Sequence, residues 1–146
     1  MFEWSWLLMR WAVLRGREDA ATVARRLFDI ADAHGVDRVR GVCIDGLHDD
    51  LSIASARARL WPQTERIKAA AILAQHATTT ADQDRFIGEA RLAAKGLQLY
   101  LQTEIPGLWY DKFGADRVML DEPAPASSFY HIACAILDAD ARGCRL

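Results

Sequence analysis

Apolar residues along this chain alternate between two arrangements, near-continuous runs and narrow stripes at helical spacing. In Phe2–Leu14 only Glu3, Ser5 and Arg10 interrupt the run, which predicts a helix buried on most of its sides, ended by Gly16. Asp19–Ala33 is different. Ala20, Val23, Ala24, Leu27, Phe28, Ile30 and Ala31 form one stripe, and Arg25, Arg26, Asp29 and Asp32 form the opposite face. Gly35 stops this helix, and His34 in its last turn reads as solvated, where the helix dipole favours a cation.

Val36–Ala58 has no helical period. The β-formers Val39, Val42 and Ile44 with the turn residues Gly41 and Gly46 predict a short hairpin. A third helix opens at Trp61, with Pro62 in its first turn, and Ala69–Ala74 is small and apolar on nearly every face. The fourth, Ala81–Thr103, has Thr80 as its expected cap and the stripe Phe86, Ala90, Ala93, Ala94, Leu97, Tyr100 and Leu101, and Pro106-Gly107 ends it. Leu108–Leu120 reads as extended, with a turn at Gly114-Ala115-Asp116. Pro123 and Pro125 then stiffen a loop that feeds a fifth helix, Ser128–Ala141, capped by Ser127 or Ser128 and with Phe129, Ile132, Ala133, Ala135 and Ile136 facing inward.

Buried helices alternating with half-buried ones are what two concentric layers produce. The expected fold class is all-α, about five helices in inner and outer layers with short β-hairpin loops, forming a single unit over residues 1–146. Composition changes this picture little. With 51% hydrophobic and 26% charged residues and a formal net charge of -2, nothing points to nucleic acid or an anionic membrane as a partner. No apolar run is long enough to span a bilayer, and the start shows no basic leader. Cys43, Cys134 and Cys144 are odd in number and lack a Cys-x-x-Cys, so reduced thiols and a cytoplasmic setting are expected. His48-Asp49-Asp50 has no second histidine at ligand spacing, so it reads as a solvated loop. His76, at the far end of the third helix, reads as structural or solvated. No metal and no redox cofactor is implied.

The chemistry gathers at helix starts. Inner helices running the same way would bring Glu3, Trp4, Trp61, Glu65, Tyr130 and His131 to one mouth, a ring of aromatics and carboxylates around one histidine that suits a carbohydrate. Trp61 and Glu65 are four apart on one helix face, an aromatic plate beside a hydroxyl acceptor; a core tryptophan and a capping glutamate account for the same spacing. Asp121 and Glu122, just upstream of His131, are placed to set its protonation state. On local sequence alone His131 also reads as capping a core edge.

Three stretches carry a resemblance: Phe2-Glu3-Trp4-Ser5-Trp6-Leu7-Leu8, Leu60-Trp61-Pro62-Gln63-Thr64-Glu65, and Gly107-Leu108-Trp109-Tyr110-Asp111 continuing to Asp121–His131. They resemble the N-acylglucosamine 2-epimerase family, and the last looks most like its mannose isomerase branch, including mannose-6-phosphate isomerase-like members. The resemblance implies an (α/α)6 toroid, of which these helices form the C-terminal part. It also implies a monosaccharide substrate whose C2 proton is removed to give an enediolate, with two histidines as acid and base. His131 matches the second histidine, and Glu3, Trp61 and Glu65 match sugar-contacting positions. The first histidine belongs to a Pro-Gly-His-x-Phe-Glu-Trp motif and falls three residues before Glu3, ahead of Met1, so a truncated isomerase or epimerase is the expectation. Two alternatives stand beside it. One is a non-catalytic helical fragment stable only as a homo-oligomer. The other is a different α/α-toroid carbohydrate enzyme using a carboxylate pair from Glu3, Glu65 and Glu122.

Overall fold

The computed structural model describes all 146 residues. Five helices dominate it: α1 (Phe2–Arg15), α2 (Glu18–His34), α3 (Leu60–Gln75), α4 (Thr80–Leu101) and α5 (Ser127–Ala141). Three short antiparallel pairs punctuate them. β1 (Val36–Asp37) pairs with β2 (Val42–Cys43), β3 (Gly46–Leu47) with β4 (Ile53–Ser55), and β5 (Ala58–Arg59) with β6 (Lys112–Phe113). The hairpin expected between Val36 and Ala58 is therefore two hairpins, and the segment after α4 pairs back onto the strand that precedes α3.

The core centres on α3, in which Leu60 and every residue from Gln63 to Ala74 are buried. Small alanines at positions 69–71 let neighbouring helices approach, and α1, α4 and α5 all pack against it, while α2 packs on α1. Phe28 of α2 meets Phe2 and Phe86 edge-on, with centroids 5.2 and 5.3 Å apart, and so joins α1, α2 and α4. Gly96 of α4 lies against the turn between β1 and β2. A Cβ there would stand 2.5 Å from the Gly41 carbonyl oxygen, so only glycine permits this approach.

Burying α3 also buries its charges. Arg66, with a side chain 1% exposed, pairs with Asp32 of α2 at 3.1 Å and with Glu89 of α4. Arg38 shares both carboxylates from the surface side. Gln63 works in the same way on the hairpins, its amide accepting from the Cys43 N–H at 2.7 Å and donating to the Cys43 carbonyl at 3.0 Å, as a strand neighbour would. Cys43 is buried and unpaired, and burial pushes its thiol up to about 12.

Several sequence expectations are corrected here. α1 is buried only along Phe2, Ser5, Met9 and Ala12; Trp4, Leu7, Trp11 and Leu14, at the same helical spacing on another side, are exposed because no element of this chain packs there. Phe129 and Ile136 are likewise exposed on α5, whose buried line is Ser128, Ile132, Ala135 and Ala139. Thr79, not Thr80, caps α4, its hydroxyl accepting from the Asp82 N–H. Neither Ser127 nor Ser128 caps α5. Ala126 holds the cap position, the Pro125 carbonyl accepts from the Ser128 N–H at 3.0 Å, and the Ser128 hydroxyl points elsewhere. Gly16 ends α1 as expected, at φ 63°. His34 is exposed, and no helix is long and apolar enough to cross a membrane.

Two outcomes follow for stability. Arg66→Ala leaves Asp32 and Glu89 facing a buried void with only Arg38 as counter-charge, and urea titration should show a loss of about 3 kcal/mol or more. His76, partly buried at the end of α3 and near Arg142 and Arg25, has its imidazolium disfavoured first by burial and then by those cations. The unfolded chain therefore binds that proton more readily, so stability is undiminished above about pH 6.5 and declines as the pH falls below it. His76→Gln should make the melting temperature less sensitive to acid over that range.

Candidate functional site

His131 sits in the first turns of α5, and its place is fixed from below. The Ser128 hydroxyl donates to Asp111 Oδ1 at 3.1 Å in a buried contact, and the Asp111 carbonyl accepts from the Leu60 N–H at 2.8 Å. One residue thus ties the start of α5 to the start of α3. That register brings His131 Nδ1 to 3.1 Å from Oε1 of Glu65, whose side chain is 1% exposed. The other carboxylate oxygen lies 2.8 Å from the Lys68 ammonium. A carboxylate facing an ammonium is an acceptor, so the proton of the His131–Glu65 bond belongs to Nδ1.

Aromatic rings frame the imidazole. Trp61 lies with its centroid 6.0 Å away at 40°, and Tyr130 is edge-on at 5.5 Å. Arg59 stands over the other ring of this group, its guanidinium 5.5 Å from the Trp61 centroid. The Tyr130 hydroxyl neighbours the Cys134 thiol one turn on, and that contact raises its ionisation above the ordinary tyrosine range. Beside Trp61 and Glu65 opens a cleft of about 380 Å³, which Glu3, Asp45 and His48 also line. Backbone from α1, the first hairpins and α3 meets there.

Of the six residues expected at one mouth, the structure joins His131, Glu65, Trp61 and Tyr130 directly; Glu3 lines the cleft with Trp61 and Glu65, which His131 and Tyr130 do not line. Trp4 does not line the cleft; it belongs to the exposed stripe of α1 and is 61% exposed. Asp121 and Glu122 are also displaced from their expected role. They line a separate hollow of about 740 Å³ with Trp109 and Tyr110, Glu122 pairs with Lys112, and the carboxylate at His131 is Glu65. His48, Asp49 and Asp50 are exposed, and no group of three or more His, Cys, Asp or Glu side chains converges to hold a metal ion. Sequence reading missed Lys68 and Trp6, whose ring lies 4.0 Å beneath the Lys68 ammonium. The signal was a lysine three residues after Glu65 in a stretch otherwise destined for burial.

The pattern described as N-acylglucosamine 2-epimerase (GlcNAc 2-epimerase) matches residues 1–135. The chain belongs to the N-acylglucosamine 2-epimerase family. Among curated relatives, it is 48% identical over 140 residues to a mannose-6-phosphate isomerase of Rhizobium meliloti (strain 1021), covering 96% of this chain and 36% of that protein. Among solved structures it matches a D-mannose isomerase with a TM-score of 0.84 at 20% identity, covering 96% of this chain and 35% of the other. The chain thus spans about a third of the length of the proteins it matches. The structural likeness bears on the fold, and it supports the all-α, toroid-segment architecture expected from the sequence.

Ser128 offers a direct check on how this family segment positions its histidine. Ser128→Ala should lower stability by about 1–2 kcal/mol, because the buried Asp111 carboxylate loses a donor, and the His131 ring resonances should broaden as the start of α5 loosens. Both are read from a denaturant titration and an NMR spectrum of the same sample.

Proposed function

We propose that this chain carries the C-terminal part of the active site of a mannose-type aldose–ketose isomerase or 2-epimerase. The observation that carries the proposal is the His131–Glu65 pair at 3.1 Å, beside a tryptophan-walled cleft, in a member of this family. With Nδ1–H held by Glu65, Nε2 of His131 is free to act as a base. It takes the proton from C2 of the open-chain sugar, and the electron pair of the broken C–H bond moves toward C1, whose carbonyl oxygen gains the charge. Return of a proton to C1, with the O2 hydroxyl proton passing to O1, gives the ketose; return to the opposite face of C2 gives the epimer. The Trp61 ring supplies a face for the sugar, and Glu3 accepts hydroxyls from the cleft wall. Glu65 is the third proposed contact, but with one oxygen on His131 and the other beside Lys68 its main work in this reading is to orient the imidazole. In a longer chain bearing the Pro-Gly-His-x-Phe-Glu-Trp motif, a second histidine one turn before Glu3 would serve as the partner acid. A cytoplasmic setting belongs to the same proposal, supported by three unpaired cysteines.

A second reading rests on the exposed apolar stripes of α1 and α5, where Leu14 is 77% and Leu137 68% exposed. Surfaces of this kind mark association, so further helices of a longer chain or a second copy of this one would pack there. Light scattering on the isolated chain, where a homo-oligomer is expected, reports on it directly. The hydrolase alternative gains less support, since Glu122 lines the other hollow and Glu65 is committed to His131 and Lys68.

The test is incubation with mannose in deuterated water, for this chain and for one extended to the length of its relatives. Deuterium at C2 and the appearance of fructose are expected, and His131→Gln should lower kcat/KM by about 10²–10⁴-fold. Turnover that is the same in His131→Gln as in the parent would remove His131 from the mechanism.

A further inference from the structure

Lys68 is an expensive residue for its position. Its side chain is 5% exposed, and an ammonium taken out of water needs compensation. Two groups provide it: Glu65 Oε2 at 2.8 Å and the face of Trp6, 4.0 Å from Nζ. Trp6 is itself held, its indole N–H donating to Asp138 Oδ2 at 3.2 Å, and Asp138 is gripped by both arms of the Arg142 guanidinium at 2.9 Å. Side chains of α1, α3 and α5 thus converge to seat one cation behind the carboxylate that holds His131. An apolar side chain of similar length would fill the volume without this apparatus, and a buried ion pair is in general a weak contributor to stability.

We propose that Lys68 is a positioning residue that keeps His131 neutral by supplying the counter-charge of Glu65. The proposal rests on the reading of His131 as an acid/base. A buried glutamate needs one positive partner, and two groups here can provide it. With Lys68 in place, the charges of Glu65 and Lys68 cancel, and His131 remains an imidazole with its proton on Nδ1 and a lone pair on Nε2. Without Lys68, the imidazolium becomes the only close counter-ion, and the base of the reaction is blocked by its own proton at neutral pH. The other titratable and charged groups around the pair are Arg59 above Trp61, Tyr130 and Cys134 on the helix of His131, and Glu3, which lines the cleft with Glu65. All stay the same when Lys68 is replaced, so the change is attributable to Lys68.

The experiment is a pH titration of the histidine ring nitrogens by ¹⁵N NMR on this chain. The chain has four histidines, and His131→Gln identifies the signal that belongs to His131. Lys68→Met should move the midpoint of His131 protonation upward by about one pH unit, a tenfold gain in proton affinity, with the Nε2 signal showing an attached proton near neutrality. Lys68→Arg, which keeps the charge, should leave the midpoint near that of the parent. In a Glu65→Gln background the same Lys68→Met change should have little effect, because the charge through which Lys68 acts is gone. If Lys68→Met does not fold, Lys68→Gln, which keeps a donor toward Glu65, is read in its place with the same expectation. A midpoint that coincides with the parent's overturns the proposal, as does an equal shift in the Glu65→Gln background. None of these readouts requires turnover, so a chain that fails to isomerise mannose counts against the proposed function and not against the role of Lys68.

Discussion

The structure depends on the burial of a helix that is not wholly apolar. α3 is enclosed from Gln63 to Ala74, and within that span lie Glu65, Arg66 and Lys68. Each charge taken out of water has to be met by a neighbour, and Arg66 leaves the helix on a different side from Glu65 and Lys68, which lie three apart on one face. Arg66 is met by α2 and α4 through Asp32 and Glu89. Glu65 is met within α3 by Lys68 and across the interface by His131 of α5. Lys68 reaches the Trp6 ring of α1. The same burial that makes the core specifies which helices surround it, and it leaves the site with a histidine fixed at one nitrogen.

Much of this was legible in the residues. Period alone placed all five helices within a few residues of their ends, because long stripes and apolar runs are strong signals. The alanines also marked α3 as one of the inner helices. The pairing of Trp61 and Glu65 on one face, and the prominence of His131, came from spacing and from the family resemblance, and the coordinates bring these three side chains together. What spacing cannot supply is the partner of a residue distant in the chain. Asp121 and Glu122 are nearest to His131 in sequence, yet the imidazole meets a carboxylate 66 positions away. The caps misled for a related reason. Ser128 has the chemistry of a cap, but Asp111 offers its hydroxyl a buried acceptor, and tertiary demand outweighs a local preference of about 1 kcal/mol.

α1 shows the limit of reading burial from composition. A helix apolar nearly all round was expected to be enclosed, and only one of its sides is. The stripe Trp4, Leu7, Trp11 and Leu14 repeats at helical spacing as regularly as the buried line does, so it is a face built for contact and not a scatter of single exposed residues. α5 carries a counterpart in Phe129, Ile136 and Leu137. Both helices pack against α3, and the chain spans 36% of the length of one relative.

The site is divided among elements of different length. The histidine and its carboxylate lie on two packed helices, locked by Ser128, Asp111 and the Leu60 amide, so the imidazole is held by a rigid frame. Part of the wall of the cleft beside Glu65 comes from short hairpins around Asp45 and His48, whose strands are only two or three residues long. Proton transfer tolerates little displacement of the base, whereas sugars differing at one carbon need a wall that can vary. Under the proposed function, a fold that carries its acid/base on packed helices and part of its cleft wall on small hairpins would change substrate by altering the hairpins, while the charges behind the histidine stay as they are.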